Sequence, residues 1–447
     1  MAAISSSSIN VNNNNNNIFQ IINQKKNKST NTGTSNARCG ILLNNTTTPN
    51  IICNTHSCAL PLITPDLLES NPILKDSIGK LPFAIPVADV ILEKNTFKQQ
   101  NDDKTTTTTI HQHSNIDKSN LIFFTPRICG TILSGPSNDK QITVETAQGR
   151  RGVNADTYFS ILNSIQADIN VSLCDELPKD ASKNRHDKSV RRTLNWLIEL
   201  LKKKKNQHDN TNNVEEPMLK KQKTNDSSVP DVKKNILFGV ILGGTNMRLR
   251  KISAESTTEL PVDGYVLGGF NLGETNNERK EILTSILPML NETKCRVLKS
   301  ANNPIDILES INLGIDLIQC NYPYELTRMG YGSIYNIPSI NYNNNNNSER
   351  INNPLHCPGG KMKISLRDKR FERDTRPLLP GCQCFTCTSY TRAYINHLLN
   401  AHEMLAETLL YIHNLYHLQL LVSTGRKYIM NGKYNEFIEE FKRGIVK

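Results

Sequence analysis

Apolar residues recur at three- and four-residue steps over Ala155–Ile165, Lys188–Leu201, Arg279–Leu290 and Pro304–Leu313, the spacing of amphipathic helices. Short, nearly continuous apolar runs stand between and after them: Asp168–Cys174 (DINVSLC), Ile236–Leu242 (ILFGVIL), Gly264–Leu267, Cys295–Ser300 and Ile315–Cys320. Runs that are apolar on both faces suit the strands of a parallel sheet covered by helices on each side. A closed (β/α)8 barrel and an open doubly wound sheet both satisfy this rhythm. Either fold binds ligands at the carboxyl ends of its strands. This chain places Asp175-Glu176, Gly243-Gly244, Gly268-Gly269 and Gln319-Cys320 at those ends.

Polar tracts interrupt the rhythm at Asn12–Asn17, Thr105–Thr109, Lys202–Lys234 and Asn343–Asn347. Such tracts bury too little apolar surface to offset their ordering entropy and are expected as loops or tails. The expected organisation is an Asn/Ser-rich disordered tail over 1–34 and a barrel over 35–330 with insertions at 98–115 and 202–234. An Asn-rich loop over 331–358 and a C-terminal subdomain over 359–447 that completes the barrel would follow. Hydrophobic content of 37% agrees with a folded core diluted by polar sequence. The net charge is +11, of which +4 lies in Lys202–Lys234, where nine lysines face five acids. A basic surface permits a polyanionic partner without proving one. No apolar run approaches the length of a membrane span.

The eleven cysteines do not form a disulfide framework. Cys39, Cys53, Cys58, Cys129, Cys174, Cys295, Cys320 and Cys357 are scattered singly, whereas Cys382, Cys384 and Cys387 are clustered. With His413 the cluster reads Cys-x-Cys-x2-Cys-x25-His, the donor set of a tetrahedral Zn2+ ion. Four protein ligands leave no open position, so one structural zinc ion is expected. The segment Ser389–Val422 is helical by pattern, and as one straight helix it would carry His413 roughly 36 Å from the cysteines. The chain must therefore fold back as a helical hairpin, with Asn400 as the candidate helix stop. His402 and His417 are the competing fourth ligands. Buried free thiols beside an ordinary core histidine are the bland alternative. Thiols used for metal imply a reducing compartment, hence the cytoplasm. The acid-free N-terminus weakly resembles a transit peptide, and peripheral association with the mitochondrial outer membrane is left open.

Several segments resemble the tRNA-guanine transglycosylases, zinc-containing (β/α)8 barrels that exchange guanine for a deazaguanine base in tRNA. They are Asp374-Thr-Arg-Pro377-Leu378, Cys382-Gln-Cys384-Phe-Thr-Cys387, Thr391-Arg-Ala-Tyr394-Ile-Asn-His-Leu-Leu399 and Ile412-His413-Asn414-Leu415. The resemblance continues through the glycine loop Gly264-Tyr-Val-Leu-Gly268-Gly269-Phe-Asn-Leu-Gly273-Glu274. It includes Asn303-Pro304-Ile-Asp306 and Gly314-Ile-Asp316-Leu-Ile-Gln319-Cys320. It implies the closed barrel with a zinc-binding helical subdomain at the C-terminus.

Departures from the family pattern carry the functional expectation. The resemblance places a nucleophilic Asp immediately before the position of Cys320, where this chain has Gln319. A carboxamide is neutral and too weakly nucleophilic to attack the ribose C1′. The family's Asp-Ser-Gly-Gly-Phe-Gln motif has no counterpart in Leu121–Gly135, and a base-reading Gln becomes Leu242. Asp175, Gly268 and Gly269 are the candidate remnants of the base pocket. Asp316, a candidate relocated nucleophile, lies on the opposite strand face from Gln319.

This pattern resembles the accessory subunit of eukaryotic queuine tRNA-ribosyltransferases. It implies a heterodimer with a catalytic homologue, tRNA as the second partner, and no enzyme activity for this chain by itself. The implied role is to bind and orient tRNA while guanine 34 of GUN anticodons (Asp, Asn, His, Tyr) is exchanged for queuine. The partner is expected on helix Ser389–Asn400 and the hairpin bearing His413, with Arg392 as a charge on that face. The alternatives are a self-sufficient transglycosylase with rewired catalysis, or a zinc scaffold or queuine carrier that binds no RNA.

Overall fold

Eight parallel strands close on themselves in chain order: Asn50–Asn54 (β1), Phe83–Pro86 (β2), Ile122–Thr125 (β3), Ile169–Val171 (β4), Ile236–Ile241 (β5), Gly264–Leu267 (β6), Cys295–Lys299 (β7) and Leu317–Cys320 (β8). The computed structural model describes residues 18–23, 35–43, 45–78, 81–92, 109–129, 137–212, 235–301, 303–338 and 362–445. Closure comes from β8 pairing with β1, Leu317 opposite Asn50 and Cys320 opposite Cys53. The (β/α)8 barrel and its C-terminal helical subdomain are the architecture of this chain.

Alternation along each strand divides the apolar residues between two compartments. Ile52, Phe123, Val171, Phe238, Val240, Val266, Val297 and Leu317 point into the barrel. Ile51, Ile85, Phe124, Ile241, Leu267, Leu298 and Ile318 point out under the helices. Inward packing is tight at Gly264, where a Cβ would lie 2.4 Å from the Phe238 ring. Gly264→Ala therefore has to displace a fully buried ring and is expected to destabilise the protein by about 2 kcal/mol. Denaturant unfolding would register this as a lower midpoint at unchanged slope.

The other end of the barrel is sealed by a three-stranded antiparallel sheet, Phe19–Asn23, Cys39–Leu42 and Thr46–Thr48. Phe19 and Leu42 fill the barrel floor. Below β8, Asp316 is fully buried and clamped by Arg38 through two bonds of 2.8 and 2.6 Å.

Several expected boundaries move. The N-terminal tail is not wholly unstructured, because Phe19–Asn23 pairs with Cys39–Leu42. The 98–115 insertion ends in a helix, Ile110–Ser114, capped reciprocally by Thr109 and Gln112. His111 joins that helix to Asp168 at 3.0 Å. The helix expected over Lys188–Leu201 spans Lys183–Asn212 and absorbs the start of the lysine-rich tract, since lysine is a good helix former. The segment 331–358 opens with a strand, Tyr331–Ser333, paired to Lys363–Ser365. Asn12–Asn17, most of the threonine run, Lys220-Lys221-Gln-Lys223 and Asn343–Asn347 lie outside the described residues.

After β8 the chain leaves the barrel, builds the metal subdomain, and returns as helix Met404–Met430. This helix packs against β1, and the final helix, Tyr434–Ile445, packs on Pro304–Leu313 to complete the outer ring. No helix among the described residues is long and apolar enough to cross a membrane.

Candidate metal centre and barrel mouth

The metal centre forms where a tight loop meets the long helix. Leu378 and Leu379 anchor the loop in a small apolar cluster with Ile395, Leu398 and Leu409. Arg392 donates to the Leu378 carbonyl at 3.1 and 2.9 Å and pairs with Asp374 at 3.1 Å. It is a brace for the cysteine loop, not the open surface charge expected from the sequence. Cys384 caps helix Phe385–Ser389, its sulfur accepting from the Cys387 amide at 3.3 Å.

His413 reaches this loop because the hairpin turns after Asn400. Helix Arg392–Asn400 ends with Ala401 as its cap, and His402 takes the left-handed conformation at φ 59°. The helix ends at Asn400 as expected, but the left-handed residue is His402, two positions on, while Asn400 stays helical and donates to Asn396. His413 Nδ1 lies 3.8, 3.4 and 3.3 Å from the sulfurs of Cys382, Cys384 and Cys387. All four ligand atoms lie within 4.8 Å of one another, and all four residues are buried. A tetrahedral ion with Zn–S near 2.3 Å and Zn–N near 2.0 Å holds sulfur and nitrogen about 3.5 Å apart. The cluster fits a structural zinc ion.

The other imidazole nitrogen fixes the geometry. His413 Nε2 donates to the Ser333 carbonyl at 2.7 Å, leaving Nδ1 to face the sulfurs. Asn414 ties down the same strand, accepting from the Ser333 amide at 2.8 Å and donating to the Tyr331 carbonyl at 2.9 Å. His402 sits on the hairpin turn. His417 stacks on Tyr335 and bonds its carbonyl at 2.8 Å. Neither competitor belongs to the cluster.

The second site is the C-terminal mouth of the barrel. Asn54, Leu242, Gly268, Lys299 and Gln319 continue the inward-facing series of β1, β5, β6, β7 and β8. Gln319 is buried and donates to Asn54 Oδ1 at 2.7 Å; Asn54 in turn donates to the Cys129 sulfur at 3.1 Å. Burial pushes the Cys53 thiol up to about 12 and the Cys129 thiol up to about 11, so both are neutral thiols. Asp175 is fully buried and clamped by Arg185 at 2.5 and 3.0 Å and by Arg192 at 3.3 Å. Asp316 sits at the opposite end of β8, held by Arg38, and is not directed into the mouth.

Charged residues that the family pattern does not single out complete this site. Glu176 accepts from the Gly269 amide at 2.9 Å and from Lys299 Nζ at 2.6 Å. Burial would raise its pKa, but the charges of Lys299 and Arg127 outweigh burial and hold Glu176 below the ordinary glutamate value. Gly269 adopts φ +68°, a conformation that favours glycine and turns its amide toward Glu176. Arg250 is fully buried and holds the loop by donating to the carbonyls of Gly244, Ile241, Gly268 and Gly269. The segment 130–136, part of the region lacking the Asp-Ser-Gly-Gly-Phe-Gln motif, lies outside the described residues.

A family model described as queuine tRNA-ribosyltransferase matches residues 34–447. Among curated proteins, the queuine tRNA-ribosyltransferase of Vibrio parahaemolyticus serotype O3:K6 is 30% identical over 310 residues, 68% of this chain and 69% of that protein. The one from Vibrio campbellii has the same identity and coverage. That of Aliivibrio fischeri strain MJ11 is 29% identical over 309 residues. These relatives bear the name of an enzyme. The expectation that the chain is no enzyme by itself is corrected by them: the similarity points to a transglycosylase.

Proposed function

Because this chain belongs to the queuine tRNA-ribosyltransferase family, we propose that it serves that enzyme as one subunit of a heterodimer, binding tRNA and orienting guanine 34 for exchange with queuine. The substrates are tRNAs with GUN anticodons. The observation that carries this reading is the Gln319–Asn54 amide pair in the barrel mouth. The family chemistry needs a carboxylate that can bond to C1′, and Gln319 presents a neutral carboxamide at that position. What this chain contributes is a rigid frame: an ordered glycine loop, a metal-braced subdomain and a basic exterior. A stem-loop whose base is drawn into a pocket has to be held by its backbone. Cytoplasmic residence suits cysteines used as metal ligands.

The metal subdomain offers the partner surface. Met404 is 86% exposed on the hairpin next to the exposed Leu405, and Tyr394 and Met329 are exposed on or at the end of helices that pack against Met404–Met430. Pairing of homologous patches across a pseudo-twofold axis would bury them. The test measures incorporation of labelled guanine into such a tRNA by this chain, by a family homologue carrying the Asp, and by the mixture. The mixture is expected to exceed either chain alone by about tenfold or more, and Met404→Asp to weaken the complex by about tenfold, or 1.4 kcal/mol, with zinc retained. Full-rate exchange by the isolated chain, with no gain on mixing, would replace the heterodimer by a self-sufficient transglycosylase.

A further inference from the structure

Charge is unevenly distributed over the metal subdomain. In the segment from Lys363 to Arg376, six cations (Lys363, Arg367, Lys369, Arg370, Arg373 and Arg376) stand against three acids, Asp368, Glu372 and Asp374. All six cations are exposed. Two of the acids are already engaged. Asp374 is shared by Arg376 at 2.7 Å and Arg392 at 3.1 Å, and its side chain is only 9% exposed. Asp368 accepts from the Arg370 amide at 3.0 Å and pairs with the Arg370 guanidinium at 3.2 Å. Lys369 and Arg373 have no ion-pair partner among the described residues. Arginine recurs at every third position, Arg367, Arg370, Arg373 and Arg376.

A solvated charge run needs no scaffold, and this one has a rigid one. Phe371 is buried at its centre, in the apolar cluster that also contains Cys382, Cys384 and Cys387. The Arg392 guanidinium lies over the Phe371 ring at 5.5 Å. Asn396, itself buried, donates its side-chain amide to the carbonyls of Leu366 at 2.7 Å and Asp368 at 3.1 Å. On the other flank the Arg392 and Ala393 amides donate to the carbonyls of Arg376 and Asp374 at 2.9 and 2.8 Å. Helix Arg392–Asn400 thus fixes the backbone of the segment in advance, and a ligand meeting it has little backbone order left to impose.

Guanidinium forks match the oxygens of a phosphodiester, and lysine adds a point charge. Like charges held close together repel one another, and a polyanion relieves that repulsion while releasing its own counterions. Contacts of this kind orient a folded RNA without reading its sequence. We propose that the Lys363–Arg376 segment is an RNA-backbone contact, a surface that holds tRNA on the metal subdomain rather than in the barrel. It rests on the proposed tRNA partnership and deepens it by naming where the tRNA is held. The segment is hydrogen-bonded to the start of the helix bearing Tyr394, so it borders the apolar surface offered to a partner chain. An acidic surface of that partner is the rival occupant.

The test measures affinity of the full-length, zinc-loaded protein for a tRNA with a GUN anticodon across a salt series. Wild type is compared with Lys369→Gln/Arg373→Gln and with Lys202→Gln/Lys205→Gln, which removes the same charge from two exposed lysines of helix Lys183–Asn212. The Lys369/Arg373 variant is expected to keep its zinc and its Tm. It should bind tRNA more weakly at low salt, converge on wild type at high salt, and lose about 0.7–0.9 of salt slope for each phosphate contact removed. Lys369→Arg/Arg373→Lys, which conserves the charge, should keep the wild-type slope, and so should the Lys202/Lys205 variant. A wild type that binds tRNA with a slope unchanged in Lys369→Gln/Arg373→Gln overturns the proposal and leaves the tRNA partnership standing. An equal loss in the Lys202/Lys205 variant overturns it too, because net charge alone then accounts for the effect. Weakened assembly with a family homologue, at unchanged tRNA affinity of the isolated chain, assigns the segment to the partner and overturns the RNA contact. A wild type that binds no tRNA, alone or mixed with the homologue, removes the partnership and this contact together. Should the double variant lose zinc, Lys369→Gln and Arg373→Gln are measured singly, and an unchanged slope in both sinks the proposal.

Discussion

His413→Ala is expected to lose stoichiometric zinc and to destabilise the protein by about 5 kcal/mol or more. Zinc binding supplies folding free energy on the order of 10 kcal/mol in small zinc-dependent peptides, and three remaining thiolates would retain part of it. The ion ties the cysteine loop to the N-terminal half of helix Met404–Met430, two segments that otherwise meet only through one small apolar cluster and the Thr386–Leu409 bond. Without the ion, three buried thiols and a buried imidazole crowd one small volume. Metal analysis of the purified variant, with calorimetry of the same sample, measures both effects. His417→Ala is the control. It removes the stacking on Tyr335 and a 2.8 Å bond to its carbonyl, so it should lower Tm while keeping one zinc per chain. Full zinc occupancy and unchanged melting in His413→Ala would remove that residue from the ligand set.

Arg38→Met is the second large effect, at about 3–5 kcal/mol. The substitution takes away both bonds to Asp316 and the bonds to the Glu292 and Lys294 carbonyls. It leaves a carboxylate with no solvent exposure beneath the barrel. Burial already raises the Asp316 pKa against the opposing charge of Arg38, and losing that charge raises it further. A carboxyl whose folded pKa lies above its unfolded value binds protons more tightly when folded. Stability of the variant therefore falls as pH rises from the ordinary aspartate value through the raised one. The deficit against wild type should shrink toward acid and be largest at neutral pH. Urea unfolding at several pH values tests this, and Asp316→Leu in the Arg38→Met background should recover part of the loss. A deficit independent of pH would show that packing, not the stranded charge, sets the cost.

How far the sequence reveals this molecule depends on how its information is distributed. The zinc ligands were legible because three of them occupy six consecutive positions, and because chain length alone demanded a turn before His413. Strand Ile236–Ile241 was legible because ILFGVIL is apolar on both faces. By contrast β1, β2 and β3 are four or five residues long, too short for their apolar runs to be told from buried helix segments; the pattern before residue 155 did not announce them. Closure was undecidable from periodicity, since it rests on β8 finding β1 across the whole barrel sequence. The mouth was partly hidden for a related reason. Lys299 and Arg127 come from different strand ends and look locally like ordinary charged residues, whereas Glu176 follows a strand that the pattern does show. The left-handed residue of the hairpin shifted because His402, flanked by Ala401 and Glu403, takes the left-handed position that favours asparagine or glycine in isolation.

Helix Met404–Met430 has a consequence for how the molecule is made. Its first half bears His413, while Leu418, Leu421 and Val422 belong to the main core outside the barrel. Strand β1 lies near the start of the folded region, but its neighbour β8 is the last strand of the barrel and its covering helix follows later still. During synthesis β1 leaves the ribosome long before either exists, with Ile51 and Cys53 waiting for their cover. The barrel therefore cannot close progressively as it emerges; sealing is a late, concerted event. A nascent chain paused before residue 404 leaves the β8–β1 seam without its covering helix, and it also lacks His413, so the metal site and the cover over the seam are completed together.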